Sequence, residues 1–233
     1  HYPLRRQRRC GIRDSVVEPT FLPASWQFML SEVSALAVAE TLSIYGVDAM
    51  IKWTNDIYVG NGKICGMLLE HDLGGKYLAR SIVGIGINVN QLLFPPEVPN
   101  PSSMALLTGQ VFDTRGVFDS FNEIFHRRYS ELEAGVAEKQ GIKPCGVDIP
   151  GNPGTMIPSA AGVMGVTGGG LLESISGEYN SLLFRRGEPH RFNVPGEGAV
   201  IGVIRSVEAD GRLMVEIDGQ VRGFLFKEIE FII

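Results

Sequence analysis

The sequence predicts an α+β protein: a mixed sheet packed with helices, followed by a small C-terminal antiparallel β-barrel. Three observations carry this. Residues 25–45 and about 114–134 repeat apolar side chains at helical spacing. Short β-prone runs divided by glycine turns lie between them. Residues 181–233 are a succession of short strands punctuated by Pro195-Gly196, Asp210-Gly211 and Asp218-Gly219, turns spaced as in a small barrel or sandwich.

Taken in order, residues 1–19 read as an atypical basic leader. Arg5, Arg6, Arg8, Arg9 and Arg13 precede the first acid, although the whole chain carries a net charge of -5. No helix-turn-helix pattern accompanies the arginines, which favours a solvated tail over a nucleic-acid arm. An amphipathic helix follows over 25–45, with Trp26, Met29, Leu30, Val33, Leu36 and Ala37 as its stripe. Gln27, Glu32 and Glu40 lie off that stripe, and Gly46 is the stop. Strands are expected at 49–53, 57–59, 64–70 and 77–90, turning at Gly60-Asn61-Gly62 and Gly74-Gly75. A proline-rich loop at 94–101 leads to the second helix, whose apolar face is Val117, Phe121, Ile124, Phe125 and Leu132. Residues 141–170 are rich in Pro, Gly, Ala and Ser and lack any period, so they are expected to be a mobile linker or insertion, the first place a protease cuts. The domain division is 1–19 leader, 20–140 partial catalytic domain, 141–177 linker and 178–233 barrel.

Composition excludes several classes. At 44% hydrophobic and 20% charged over 233 residues, the chain is too apolar for global disorder. Its longest apolar run is bracketed by Glu32 and Glu40, too short for a membrane span. Cys10, Cys65 and Cys145 form neither a disulfide framework nor a zinc spacing, which fits a reducing cytoplasm. His1, His71, His126 and His190 are scattered and suggest no metal cluster or triad. The start at His1, without methionine, suggests a fragment or a processed chain.

The chemistry concentrates in Lys52-Trp53-Thr54-Asn55-Asp56, a glycine turn, and Lys63-Ile64-Cys65-Gly66. A strand end carrying Asn-Asp presents an amide beside a carboxylate, suited to a nucleotide and to a hard cation such as Mg²⁺. A hairpin would return Lys63 to that pair, and Gly66 leaves backbone open to a ligand. Taken alone, the same residues also describe an ordinary turn and a solvated lysine. Residues 84–90 add a strand, Gly84-Ile85-Gly86-Ile87-Asn88-Val89-Asn90, whose glycines admit a ligand and whose asparagines can bind it. It is not a dinucleotide fingerprint, because Val89 occupies the third glycine position, and Leu171 stands where the lysine of a P-loop would be.

Together these motifs resemble those of the biotin protein ligases, most closely the short single-function form without a DNA-binding domain. The family's Lys-Trp-Pro-Asn-Asp matches residues 52–56, with Thr54 in place of proline; its Lys-x-x-Gly matches Lys63 to Gly66, and its Gly-x-Gly-x-Asn matches Gly84 to Asn88. The ending from Gly211 to Ile229 resembles the family's small C-terminal barrel. The resemblance implies a class II synthetase-like core that uses ATP, biotin and Mg²⁺. Biotin is activated as biotinyl-5'-AMP and passed to a lysine of a biotin carboxyl carrier protein domain. It further implies that Lys63 is catalytic, contacting biotin carboxylate and phosphate, and that Asn55 and Asn88 contact the adenylate. Asp56 would help hold Mg²⁺-ATP, and Gly66 and Gly84 would lie beside biotin. Dimerisation through sheet edges occurs in the family. The family also places an Arg/Gly-rich loop before the first long helix, where residues 5–11 have arginines without interleaved glycines; weak binding and poor turnover are therefore expected. Lipoate ligase is the neighbouring enzyme reading. A non-catalytic remnant that binds ligand or carrier is the alternative of a different class.

Overall fold

A computed structural model of the chain describes residues 11–141 and 170–232. Its first sheet contains β1 (Gly11–Val17), β2 (Met50–Lys52), β3 (Asp56–Val59), β4 (Gly62–Gly74) and β5 (Tyr77–Ile87), in the order β1-β5-β4-β3-β2. Every ladder is antiparallel, where a mixed sheet was expected. The physical reason is that β2 to β5 are joined by tight turns, which can only reverse the chain. At one of these Gly75 takes a φ of +70°, a conformation that costs glycine little. Parallel contacts are confined to single bridges, such as Ile51 with Leu183 and Lys63 with Pro101.

The leader boundary expected at residue 19 cuts through this sheet. Strand β1 pairs along its whole length with β5, from Gly11 opposite Ile87 to Val17 opposite Ser81. The run of arginines before it masks a strand signal that rests only on Ile12, Val16 and Val17.

Helix α1 (Phe28–Ile44) is buried on most of its circumference rather than on one stripe, with Trp26 in a 3-10 turn before it. Two further helices, α3 (Thr114–Lys139) and α4 (Leu171–Ser181), pack against it, as do β2 and β3. Glu32, expected off the apolar face, is fully buried. Its Oε2 accepts a hydrogen bond from Ser176 Oγ of α4 at 2.8 Å, while Oε1 and the nearby Tyr179 hydroxyl have no partner among the described residues. Burial pushes the Glu32 carboxyl up to about 7, with the Ser176 bond opposing. The folded chain therefore keeps a proton there that the unfolded chain releases near 4.5, and stability falls as pH rises from about 4.5 to 7. The expected loss is about 3 kcal/mol across that window. Glu32→Gln should flatten the slope, as checked by urea denaturation at about pH 5 and pH 8.

Helix α3 begins at Asp113, whose carboxylate accepts from the Arg115 and Gly116 amides. It continues five residues beyond the expected end, and Val117, Phe121, Ile124, Phe125 and Leu132 are buried as expected. A short helix, α2 (Met104–Thr108), follows the proline-rich loop and is capped by the Ser103 hydroxyl. Most of the expected linker, residues 142–169, lies outside the described residues, so its expected proteolysis does too. Its last part is helix α4, which occupies part of the expected 141–177 segment.

The second sheet contains β6 (Pro189–Val194), β7 (Gly198–Val207), β8 (Leu213–Ile217), β9 (Gln220–Phe224) and β10 (Glu230–Phe231), in the order β10-β6-β7-β8-β9. All its ladders are antiparallel. The outer strands β9 and β10 do not pair, so this is an open sheet and not the expected closed barrel. Two residues of β10 are too few to carry the ladder around. Several hydrogen bonds fasten the second sheet and the segment leading into it to the first part of the chain. Ile51 N donates to Leu182 O and Phe184 N to Ile51 O, both at 2.8 Å. The Trp53 indole donates to Gly211 O at 2.9 Å. One apolar core runs through both parts, from Leu22 to Ile229.

Candidate active site

The first sheet covers its core with Ile57, Cys65, Met67, Val83, Ile85 and Ile87, all buried. Side chains alternate across a pleated strand, so the register assigns the other face to different residues. Asp56 lies opposite Lys52 on one side and Gly66 on the other, and Gly66 lies opposite Gly86. A single row therefore crosses four strands: Gly86, Gly66, Asp56, Lys52. Gly84 is one step along β5 on the same face, opposite Leu68.

Lys63 joins this row because of a β-bulge. Tyr58 pairs with Lys63, but Ile57 pairs with Cys65, so Ile64 is the extra residue. Ile64 and Cys65 both point into the core, at 0% and 1% exposure, and Lys63 and Gly66 consequently share the open face although three residues apart. Lys63 Nζ sits 2.6 Å from Asp56 Oδ1. A β-carbon at Gly66 would meet Lys63 Cε at 3.2 Å and Nζ at 3.3 Å, so the lysine arches directly over the glycine.

The backbone of Lys63 is clamped from its other side. Its N donates to Asn100 O at 2.6 Å and its O accepts from Ser102 N at 2.8 Å. Gly62 permits this approach: a β-carbon there would stand 2.8 Å from Ser102 Cβ. Asn88 continues β5 opposite the bulge, its N donating to Ile64 O and its Nδ2 to Ser102 O, each at 2.9 Å. The Asn55 backbone O accepts from Met67 N at 2.8 Å, and its side-chain amide donates to Met67 O, so Asn55 lies beside β4.

Of the residues selected from sequence, Lys63, Asp56 and Gly66 form one contact group. Asn88 and Asn55 are tied to the same segment of β4, and Gly84 lies one step from Gly86 on the open face. Two cations were missed as site members. Lys52 is packed under aromatic rings, 5.3 Å from the Tyr58 centroid and 4.8 Å from that of Phe231. Arg185 donates to Asn61 Oδ1 at 3.2 Å and stacks on Phe184. Burial lowers the Lys52 ammonium from its ordinary range; Asp56 opposes this, while Lys63 and Arg185 reinforce it. Lys52 was visible within its motif, but nothing in the sequence linked Arg185 to it.

Residues 14–88, which contain the whole row, match the model of the biotin/lipoate A/B protein ligase family. Over 211 residues the chain is 23% identical to the biotin–[acetyl-CoA-carboxylase] ligase of Mycobacterium tuberculosis, covering 90% of this chain and 63% of that one. These matches are with biotin protein ligases. Another relative, the bifunctional ligase/repressor BirA of Bacillus spizizenii, is 31% identical over 125 residues, 52% of this chain and 38% of the relative. The chain thus spans less than two thirds of the length of either relative. The biotin protein ligase from Aquifex aeolicus in complex with biotin and ATP shares the fold, with a TM-score of 0.66 at 20% identity over 96% of this chain and 78% of that one.

Gly66→Ala tests the arch. The new β-carbon presses on the flexible end of Lys63 rather than on backbone, so stability should change by less than about 1 kcal/mol. The lysine must move from Asp56, and any activity that depends on the pair should drop at least tenfold. Paired thermal melts and rate measurements check this.

Proposed function

We propose that this chain carries the catalytic chemistry of an ATP-dependent biotin protein ligase, forming biotinyl-5'-AMP and transferring biotin to a lysine of a biotin carboxyl carrier protein domain. The observation that carries the reading is Lys63 arched over Gly66 onto Asp56, at the edge of an open sheet face. That face offers Leu68 and Val16, each 61% exposed, beside Gly84 and Gly86. An apolar ring can lie on such a surface while its carboxylate reaches the lysine.

In the first step a biotin carboxylate oxygen attacks the α-phosphorus of ATP. The new P–O bond forms as the bond to the bridging oxygen breaks, and pyrophosphate leaves with that electron pair. Lys63 stabilises charge gathering on the phosphoryl oxygens from a fixed position. In the second step the carrier lysine amine, having lost a proton, attacks the acyl carbon, and AMP departs. Asn55 and Asn88 hold the adenylate, and Gly66 and Gly84 flank the biotin.

Asp56 is the row's one carboxylate, and among the described residues no three His, Cys, Asp or Glu gather for a metal. This donor set fits Mg²⁺ arriving with nucleotide phosphates, which needs only one or two protein carboxylates. It does not form a cage for a resident ion.

Incubation with ATP and radiolabelled biotin, with and without a carrier domain, tests the reading. Labelled carrier that requires ATP supports it. Biotin binding without turnover would make the chain a remnant, and stronger thermal protection by lipoate than by biotin would reassign the substrate.

A further inference from the structure

We propose that Asn90 is a positioning residue for Lys63: its side-chain amide closes the base of residues 91–111, and that segment holds the lysine backbone in place. This rests on the adenylating reading above. Asn90 Nδ2 donates to Phe112 O at 2.8 Å, and Asn90 Oδ1 accepts from Phe112 N at 2.9 Å. A carboxamide carries the same donor and acceptor as a peptide unit, so it pairs with Phe112 as a neighbouring strand would. Residues 84–90 suggested a ligand contact at Asn90; its amide is instead engaged at both ends by backbone. Phe112 is itself fixed, its ring edge-on to Tyr45 at 5.7 Å, and the Tyr45 hydroxyl lies 3.1 Å from Ser120 Oγ of α3.

Between these two ends the segment meets Lys63. Asn100 O accepts from the Lys63 amide, Ser102 N donates to the Lys63 carbonyl, and Asn88 Nδ2 donates to Ser102 O. Further ties bind the segment to the strand it leaves. Met104 N donates to Asn88 O at 3.0 Å, Ala105 N to Val89 O at 2.9 Å, and the Ser103 hydroxyl to Gln91 O. Residues 100–105 thus lie against 88–91 and against Lys63 at once. Burial alone does not seat the segment: Met104 and Ala105 are its buried apolar side chains, whereas Leu93 and Val111 are 91% and 87% exposed. A stretch with so little apolar cover depends on its hydrogen bonds for its local stability. Asn90 supplies the pair that joins its two ends, directly before Asp113 caps α3. Lys63 can stabilise developing charge only from a fixed position. Loosening the segment therefore reaches the lysine without any contact between Asn90 and substrate.

The test uses the full chain and compares wild type with Asn90→Ala and Asn90→Asp, by amide hydrogen exchange and by pyrophosphate release from ATP in the presence of biotin. In Asn90→Ala the Lys63 and Ser102 amides should exchange at least about tenfold faster, while the amides of α1 stay within about twofold of wild type. The kcat of adenylate formation should fall about tenfold with the biotin KM within about twofold, because no ground-state contact is removed. Asn90→Asp keeps the acceptor for Phe112 N and loses the donor, so it should fall between the two, and it carries the same comparisons if Asn90→Ala fails to fold. In a Lys63→Ala background, Asn90→Ala should cost less than about a further twofold in rate, since the lysine it acts through is gone. Unchanged exchange at Lys63 and Ser102, exchange that quickens equally in α1, or rate losses that multiply in the double variant each overturn the proposal. Faster exchange confined to Lys63 and Ser102, in a chain whose wild type forms no biotinyl-adenylate, retains the hold on Lys63 and overturns the ligase reading instead.

Discussion

Replacing Lys63 by alanine is expected to lower biotinyl-adenylate formation by about 10²–10³-fold, the usual effect of removing one fixed stabiliser of developing charge. Folding should survive. The Lys63 side chain is 38% exposed, and its pair with Asp56 is worth at most about 1 kcal/mol after screening by solvent. The strand itself is held by backbone bonds to Asn100 and Ser102, which alanine retains. Pyrophosphate release and thermal melts on the same preparation separate the two effects. An unchanged rate removes Lys63 from the chemistry, and a collapse of the melt makes its role structural. Lys63→Arg should recover little activity, because a planar fork cannot place its charge where a compact ammonium arches over Gly66.

Gly211→Ala should destabilise the chain by about 2–5 kcal/mol. Gly211 has a φ of +87°, where a β-carbon costs about 1–2 kcal/mol. That carbon would also stand 2.7 Å from Phe28 Cδ2 and 2.9 Å from Cγ, adding about 1–3 kcal/mol of overpacking. The turn cannot retreat freely, since Gly211 O accepts from Trp53, the residue after Lys52. Chemical denaturation reads the loss. Adding Phe28→Ala should relieve only the contact part, so a double mutant no more stable than the sum of the singles would refute the steric account.

The helical stripes were legible because periodicity reports which residues one neighbour can cover. For α1 it misplaced Glu32, because the helix has neighbours on several sides and α4 covers the position that the pattern left to solvent. Helix α4 itself follows a stretch without any period and is only eleven residues long, with Leu172, Ile175 and Tyr179 as its buried contacts. Strand β1 was lost in the charge count of the residues before it. At the candidate site, Lys63, Asp56 and Gly66 could be chosen from their spacing. The placement of Lys52 depends on the β2–β3 register, and that of Arg185 on how the second sheet docks. Both are tertiary facts that no local pattern encodes.

A pleated ribbon obeys a parity rule: residues an odd number apart look in opposite directions. Lysine and glycine separated by three break that rule, and the extra Ile64 is what makes the exception possible. The Lys-x-x-Gly spacing is therefore a statement about backbone geometry as much as about chemistry. A chain shortened by one residue between positions 63 and 66 would restore regular alternation and keep the lysine and glycine on one face, but only one of Ile64 and Cys65 would remain to fill the core where two do now. The turn at Gly60 and Asn61, outside this interval, is where changes of length can be absorbed with the arch intact.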